Sequence, residues 1–251
     1  MESPARHQTP ASACLQAGAS APAPAPGLGR GPAPAAAPDW SAIDTVMLDM
    51  DGTLLDLAFD TRFWHTTIPE AWAAATGSSL EQARARLAAV FKSREGTLDW
   101  YCVEYWSREL ALPVAQLKQA AAHEVAWLPG APGFLARLRA QGKRLVLVTN
   151  AHPLSLAVKD QGTGLTRLMD AVYSSHAFAA PKEAQAFWLA LRQAERFDPA
   201  RTLFVDDSPA VLAAARSFGV RWVYGVRCPD STGARRDHGA HPAVDRIAEL
   251  A

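Results

Sequence analysis

The apolar run Thr45-Val46-Met47-Leu48 ends in Asp49-Met50-Asp51-Gly52-Thr53, and this junction constrains the fold of the chain more than any other stretch. The run has the length and β-branched content of a buried strand, and the Gly-Thr-Leu-Leu that begins at Gly52 reads as a turn into a new element. Asp49 and Asp51 are therefore expected to emerge together at a strand's carboxyl end. Residues i and i+2 share one face of a strand, and two acids held side by side repel unless a cation or a proton lies between them. A metal-dependent carboxylate site is the economical reading. An acidic turn after a core strand is the plainer one.

The rest of the chain supplies partners for the acidic pair. Apolar segments at Arg144 to Val148, Ala171 to Tyr173, Thr202 to Val205 and Arg221 to Val226 read as further strands. They alternate with helical stretches such as Gly133 to Gln141, Glu183 to Arg196 and Pro209 to Phe218, the rhythm of an α/β fold with a central parallel sheet. At or just beyond the segment ends stand Thr149-Asn150, then Lys182, then Asp206-Asp207-Ser208. Taken singly, Thr149 reads as a helix cap and Lys182 as a solvated lysine at a helix start. Ligands of open α/β sheets bind beyond the carboxyl ends of the strands, so in this order these residues converge on one place.

Asp49-Met50-Asp51-Gly52-Thr53, Thr149, Lys182 and Asp206-Asp207, taken together, resemble the four motifs of the haloacid dehalogenase (HAD) superfamily of phosphohydrolases, over about residues 43 to 228. The resemblance implies a Rossmann-like core of strand order 3-2-1-4-5. It also implies a phosphatase in which Asp49 is the nucleophile and a metal ligand, and Asp51 is the general acid and base, offering its backbone carbonyl to the metal. Thr149, Asn150 and the Gly52 turn would contact phosphate, and Lys182 would neutralise the nucleophile. Asp206 would bind Mg²⁺ directly, with Asp207 beside it as a ligand or a partner through water; Mn²⁺ or Co²⁺ would serve as alternatives. The chemistry is coherent, because a carboxylate attacking a phosphate dianion needs strong positive charge nearby. One divalent ion and Lys182 leave part of the negative charge to be met by N–H donors, other cations or protonation.

Between Asp56 and about Leu128 the text changes to Ala-rich amphipathic stretches, at 69 to 76, 80 to 94, 98 to 111 and 113 to 127, with no strand. A HAD cap inserted after the first motif sits here. The reading is a core of 39–57 and 129–251 with a helical cap at 58–128. The insert carries Phe59, Phe63, Trp64, Trp72, Phe91, Trp100, Tyr101, Tyr105, Trp106 and Trp127. Such rings can stack on a nucleobase or simply pack a small helical domain. Leu-Asp-Met-Asp-Gly-Thr-Leu-Leu-Asp-Leu-Ala-Phe-Asp, Trp100-Tyr101-Cys102, Tyr105-Trp106, Thr149-Asn150-Ala151-His152-Pro153 and Pro181-Lys182-Glu183 resemble one branch closely, the purine 5′-mononucleotide (GMP/IMP) nucleotidases. Glu rather than Pro after the lysine departs from the common HAD pattern and agrees with that branch. His152 either contacts phosphate or caps the next helix, and His176 takes no role.

Residues 1–38, rich in Ala, Pro and Gly, have no helical period and are expected to be disordered. Neither a secretory h-region nor a membrane-length apolar run is present. Zero formal net charge over 251 residues gives no footprint for nucleic acid, and three widely separated cysteines without metal-ligand spacing fit a reducing cytoplasm. The expected partner is a small-molecule phosphate monoester, a purine nucleotide on the resemblance to that branch, with no nucleic acid and no membrane. The alternatives are a broad phosphatase acting on flavin mononucleotide or sugar phosphates, a phosphomutase, a phospho-receiver module, and a HAD-like binding protein without catalysis.

Overall fold

The computed structural model describes residues 37–250; the segment read as a disordered tail lies, except for its last two positions, outside the described residues. Among those described, six strands form one parallel sheet: β1 (Thr45–Leu48), β2 (Arg144–Thr149), β3 (Ala171–Ser174), β4 (Thr202–Asp206), β5 (Trp222–Val226) and β6 (Ala243–Val244). The order is β3-β2-β1-β4-β5-β6, so the expected 3-2-1-4-5 arrangement gains one edge strand. At two residues, β6 is too short to leave an alternating pattern in the sequence.

Every residue of β1 is buried, as befits the central strand of a sheet covered on both faces. Alternation divides its side chains. Val46 and Leu48 join Leu145, Leu147, Leu203 and Val205 against α7 (Ala131–Ala140) on one face. Met47 joins Val146, Val148 and Phe204 against α9 (Gln185–Glu195) and α10 (Pro209–Phe218) on the other. On α7, Phe134, Leu135 and Leu138 are buried at helical spacing, each worth about 1.5–3 kcal/mol against exposure. Helix α8 (Pro153–Thr163), the helix expected after His152, had no bounds in the sequence; its apolar periodicity is weak because its inward face carries Ser155 and Lys159 as well as Val158.

The chain leaves the sheet after Leu55 and returns at Trp127. These two segments pair antiparallel, with Asp56 N–H donating to Ala126 O at 2.9 Å and Leu128 N–H to Leu54 O at 2.9 Å. Between them lie α1 (Ala58–Arg62), α2 (Ile68–Thr76), α3 (Leu80–Lys92), α4 (Leu98–Tyr101), α5 (Val103–Leu110) and α6 (Val114–Ala120), around their own cluster of Phe63, Ile68, Leu87, Trp106 and Val114. The stretches expected to be continuous helices at 98–111 and 113–127 are interrupted. Cys102 is extended (φ −87°, ψ 111°), ending α4 and capping α5 through Sγ, which accepts Tyr105 N–H at 3.4 Å. Between α1 and α2 the backbone widens into a π-turn over Phe63–Thr67. Pro69, near the start of α2, has no N–H to continue the α pattern back to His65, which accounts for the wider turn.

Candidate active site

Parallel pairing sets the site. β1 lies between β2 and β4, with Leu48 opposite Leu147 and Val205, so the residues that follow these strands are neighbours in space. Asp49 N–H still bonds to Val205 O at 3.0 Å, and one residue later the chain turns. Leu54 and Leu55 N–H return to Met50 O at 3.0 and 2.8 Å, and Gly52 N–H to Leu55 O at 2.7 Å. Gly52 takes φ +82°, and a Cβ there would lie 2.6 Å from Asp207 Oδ2. Only glycine satisfies both the backbone and this approach. In the structure Gly52 thus fits the turn against Asp207.

Lys182 organises the acids. Its Nζ donates to Asp49 Oδ1, to Asp206 Oδ2 at 2.7 Å and to Val148 O at 3.1 Å, which uses all three ammonium protons in a site where the side chain is buried. The loop that carries it is held at both ends of the residue: Lys182 N–H donates to Asn150 Oδ1 at 2.9 Å, and Lys182 O accepts from Trp188 Nε1 at 2.8 Å. These bonds explain why α9 starts at Gln185 and not at Glu183. The other end of Asn150 donates to Glu183 Oε2 at 3.0 Å, and Tyr101 of the helical module donates its hydroxyl to Glu183 Oε1 at 2.7 Å. The Asn150 amide, expected to reach phosphate, positions the lysine loop with its oxygen and one N–H and lies on the cavity wall. Thr149, buried at the end of β2, accepts Ala151 N–H on Oγ1 at 3.0 Å and keeps its own proton to donate. His152 caps α8, its Nδ1 accepting Leu154 N–H at 3.3 Å. Of its two expected roles, the structure shows the cap.

Asp49, Asp206 and Asp207 each offer a carboxylate oxygen within 4.8 Å of the other two, and all three are buried. Burial raises Asp49 to about 7; Lys182 opposes the rise and Asp206 adds to it. Burial likewise raises Asp207 to about 7 against Arg236, and Asp206 to about 6 against Lys182. The triad therefore carries more negative charge than its lysine and arginine compensate. Its donors are hard carboxylate oxygens, which fits a divalent ion such as Mg²⁺.

Asp51 follows a separate course. It was expected to emerge beside Asp49 with a cation or a proton between them; its carboxylate meets Lys159, 2.5 Å away, on the wall of the same cavity as Asp49 and outside the triad. Lys159 also meets Asp60 at 2.5 Å, and Asp60 in turn accepts from Lys118 at 2.7 Å. Lys118 lies over the rings of Phe63 and Trp64, at 4.8 and 5.6 Å from their centroids. Burial raises Asp51 despite Lys159. For Asp60, burial is outweighed by the two ammonium groups, which hold it down to about 2.

Lys159, Lys118, Asp60 and Arg236 were not singled out from the sequence. Ser155 and Lys159 stand one helical turn apart on α8 and line the same cavity, a four-residue spacing just after Thr149-Asn150 that marks the lysine's face. Arg236 lies in an irregular segment that offers no such signal. Arg236 and Lys159 are cations of the kind the charge count allowed for, beside N–H donors and protonation. The cavity holds about 420 Å³, with Asp49, Asp51, Thr149, Asn150, Lys182, Asp206 and Asp207 on its wall. Over them the helical module presents Trp64, Phe91, Trp100, Tyr101 and Trp106, while Phe63 is buried within the module itself.

Residues 43–219 match the haloacid dehalogenase-like hydrolase family. The chain belongs to that family. GMP/IMP nucleotidase YrfG of Escherichia coli K12 is 42% identical over 211 residues, which is 84% of this chain and 95% of that protein, and its Shigella flexneri counterpart gives the same figures. Membership of the family and this relationship make the chain a phosphoric monoester hydrolase. Among solved structures, a HAD phosphatase from Thermococcus onnurineus superposes with TM-score 0.70 at 21% identity, covering 83% of this chain and 94% of that one. An L-2-haloacid dehalogenase from Xanthobacter autotrophicus gives 0.57 at 19%, covering 83% and 96%. These likenesses establish the α/β fold alone, since a phosphatase and a dehalogenase share it. No helix among the described residues is long and apolar enough to cross a membrane.

Proposed function

We propose that this hydrolase removes the 5′-phosphate of purine nucleotides, GMP and IMP, through an aspartyl-phosphate on Asp49, with Mg²⁺ held by Asp49, Asp206, Asp207 and the Asp51 backbone carbonyl. The observation that carries the chemistry is the Asp49–Lys182–Asp206 arrangement beside the under-compensated triad. The 42% identity to a GMP/IMP nucleotidase supports the substrate. When bound, the ion supplies positive charge that offsets the carboxylates and the phosphate dianion.

Asp49 attacks phosphorus, and the P–O bond to the nucleoside breaks. Asp51, held toward its protonated form by burial, gives its proton to the leaving 5′-oxygen. The resulting carboxylate then takes a proton from the water that hydrolyses the acyl phosphate, which frees Asp49. Lys182 orients Asp49 and offsets charge, and Thr149 donates its hydroxyl proton to a phosphate oxygen. Residues 58–128 form a cap, with Trp64, Trp100 and Tyr101 on the cavity wall as the surface available to stack on a base. We place the enzyme in the reducing cytoplasm, in keeping with the reduced thiol of Cys102.

The test is phosphate release from a panel of nucleoside monophosphates, flavin mononucleotide and sugar phosphates, with Mg²⁺ and with chelator. Metal-dependent preference for GMP and IMP is the expected result. Even cleavage across the panel would remove the purine assignment and leave the phosphatase.

A further inference from the structure

A second cluster of ligating side chains lies outside the cavity, where the helical module meets the core. Cys102 stands at the break between α4 and α5, His152 at the start of α8, and His176 in the 3₁₀ turn after β3. One ligand atom from each lies within 4.8 Å of the other two. Donors around a tetrahedral zinc ion, with bonds of about 2.0–2.3 Å, stand about 3.3–3.8 Å apart, so small side-chain adjustments bring the trio into range. The two imidazoles meet edge to face with ring centroids 4.8 Å apart. His176 Nε2 is buried and has no hydrogen-bond partner, an arrangement that costs free energy unless something occupies it. Burial disfavours the charged form of both histidines, and with His152 beside it His176 is pushed down to about 4, so both are neutral and able to ligate. Glu104 Oε2 lies 4.0 Å from His152 Nε2 on an exposed side chain and does not join the trio, which leaves the remaining position of a tetrahedral ion to water.

We propose that Cys102, His152 and His176 form a site for a borderline-soft divalent cation of the zinc class, distinct from the hard-oxygen aspartate triad, and that the bound ion ties the helical module to the core. Thiolate and imidazole select such ions over Mg²⁺. Binding sends the Cys102 thiol proton to solvent, one proton per ion. Where His152 ligates through Nε2, its ring proton moves to Nδ1 and the 3.3 Å bond from Leu154 N–H is given up. Cys102 adjoins Tyr101, whose hydroxyl bonds to Glu183 in the lysine loop, so the ion reinforces a junction that already holds that loop. An effect on turnover rests on the proposed phosphatase reading; the site itself does not.

The full chain, freed of metals and then given excess Mg²⁺ to occupy the aspartates, is titrated with Co²⁺ while the thiolate-to-cobalt absorption is followed. Zn²⁺ binding is measured in parallel by equilibrium dialysis. One ion per chain is expected, with the thiolate band lost in Cys102→Ser and Zn²⁺ affinity weakened at least about tenfold in both Cys102→Ser and His176→Gln. Cys14→Ser and Cys228→Ser should keep the band. No thiolate band, a band that survives Cys102→Ser, or one lost with either other cysteine would overturn the site. Circular dichroism checks that the variants fold, and if Cys102→Ser does not, His176→Gln and the release of one proton per ion decide the question. In the activity assay Zn²⁺ should slow the wild type and spare Cys102→Ser. Equal inhibition of both would sever the tie between module and core, and absence of any phosphatase activity would refute the proposed function while leaving the absorption test intact.

Discussion

Two groups of aspartates share one cavity and differ in how their charge is met. Asp49, Asp206 and Asp207 face Lys182 and Arg236, and burial raises all three. Asp51 and Asp60 face Lys159 and Lys118, and there Asp60 is held down to about 2. The first group is one cation short and is poised for a divalent ion and an anionic substrate. The second group has as many ammonium groups as carboxyls and joins α1 and α6 of the helical module to α8 of the core. Charge left unmatched at the strand ends is what the proposed chemistry uses; charge matched beside it holds the module in place.

That contrast can be broken most severely at Asp49. Asp49→Asn is expected to lower phosphate release by about a thousandfold or more while circular dichroism stays unchanged. Retained turnover would sink the nucleophile assignment. Asp206→Asn should raise the Mg²⁺ concentration needed for half-maximal activity by at least about tenfold. A metal titration that matches the wild type would exclude direct ligation.

In the balanced group the larger effect should fall on stability. Asp60→Asn leaves two buried ammonium groups without their shared carboxylate, an expected cost of about 3 kcal/mol in urea unfolding. A loss below about 0.5 kcal/mol would mean that the network contributes little. Acid titration should separate Asp60 from the triad by sign. The depressed Asp60 contributes stability above its unfolded value of 3.8, lost as pH falls through about 2. The raised triad works in the opposite sense: without metal, its contribution is present below 3.8 and is lost as pH rises through about 7. Mg²⁺ should therefore raise the melting temperature more at pH 8 than at pH 5, by at least about 3 °C. Equal shifts at both values would show that the triad is not where the ion binds.

How much of this was legible varies from residue to residue. Asp49 and Asp51 were readable because an apolar run ending in two acids marks a strand end, and Thr149, Lys182 and Asp206 because each falls at or just beyond another such run. The structure brings all of them to the wall of one cavity. Asp51 shares the cavity wall with Asp49, as the strand-end reading expects, while its carboxylate meets Lys159, a partner the sequence did not mark. Asn150 was read as a donor to phosphate, and its amide in addition spans Lys182 N–H and Glu183, a bracing role the sequence did not suggest. A sequence lists the groups an amide could bond but not which of them the fold brings within reach.

By itself the sequence determined the α/β alternation, the strand ends and the residue types gathered there, because periodicity and turn chemistry are local properties. Only the tertiary structure decided which cation meets which acid. Lys159, Lys118 and Arg236 carry no local mark of their partners; Asp60 lies 99 residues from Lys159 and 58 from Lys118, and Asp207 lies 29 from Arg236. Such pairings come from the packing of α8 and the helical module over the sheet, and burial then turns them into the charge balance on which the site depends.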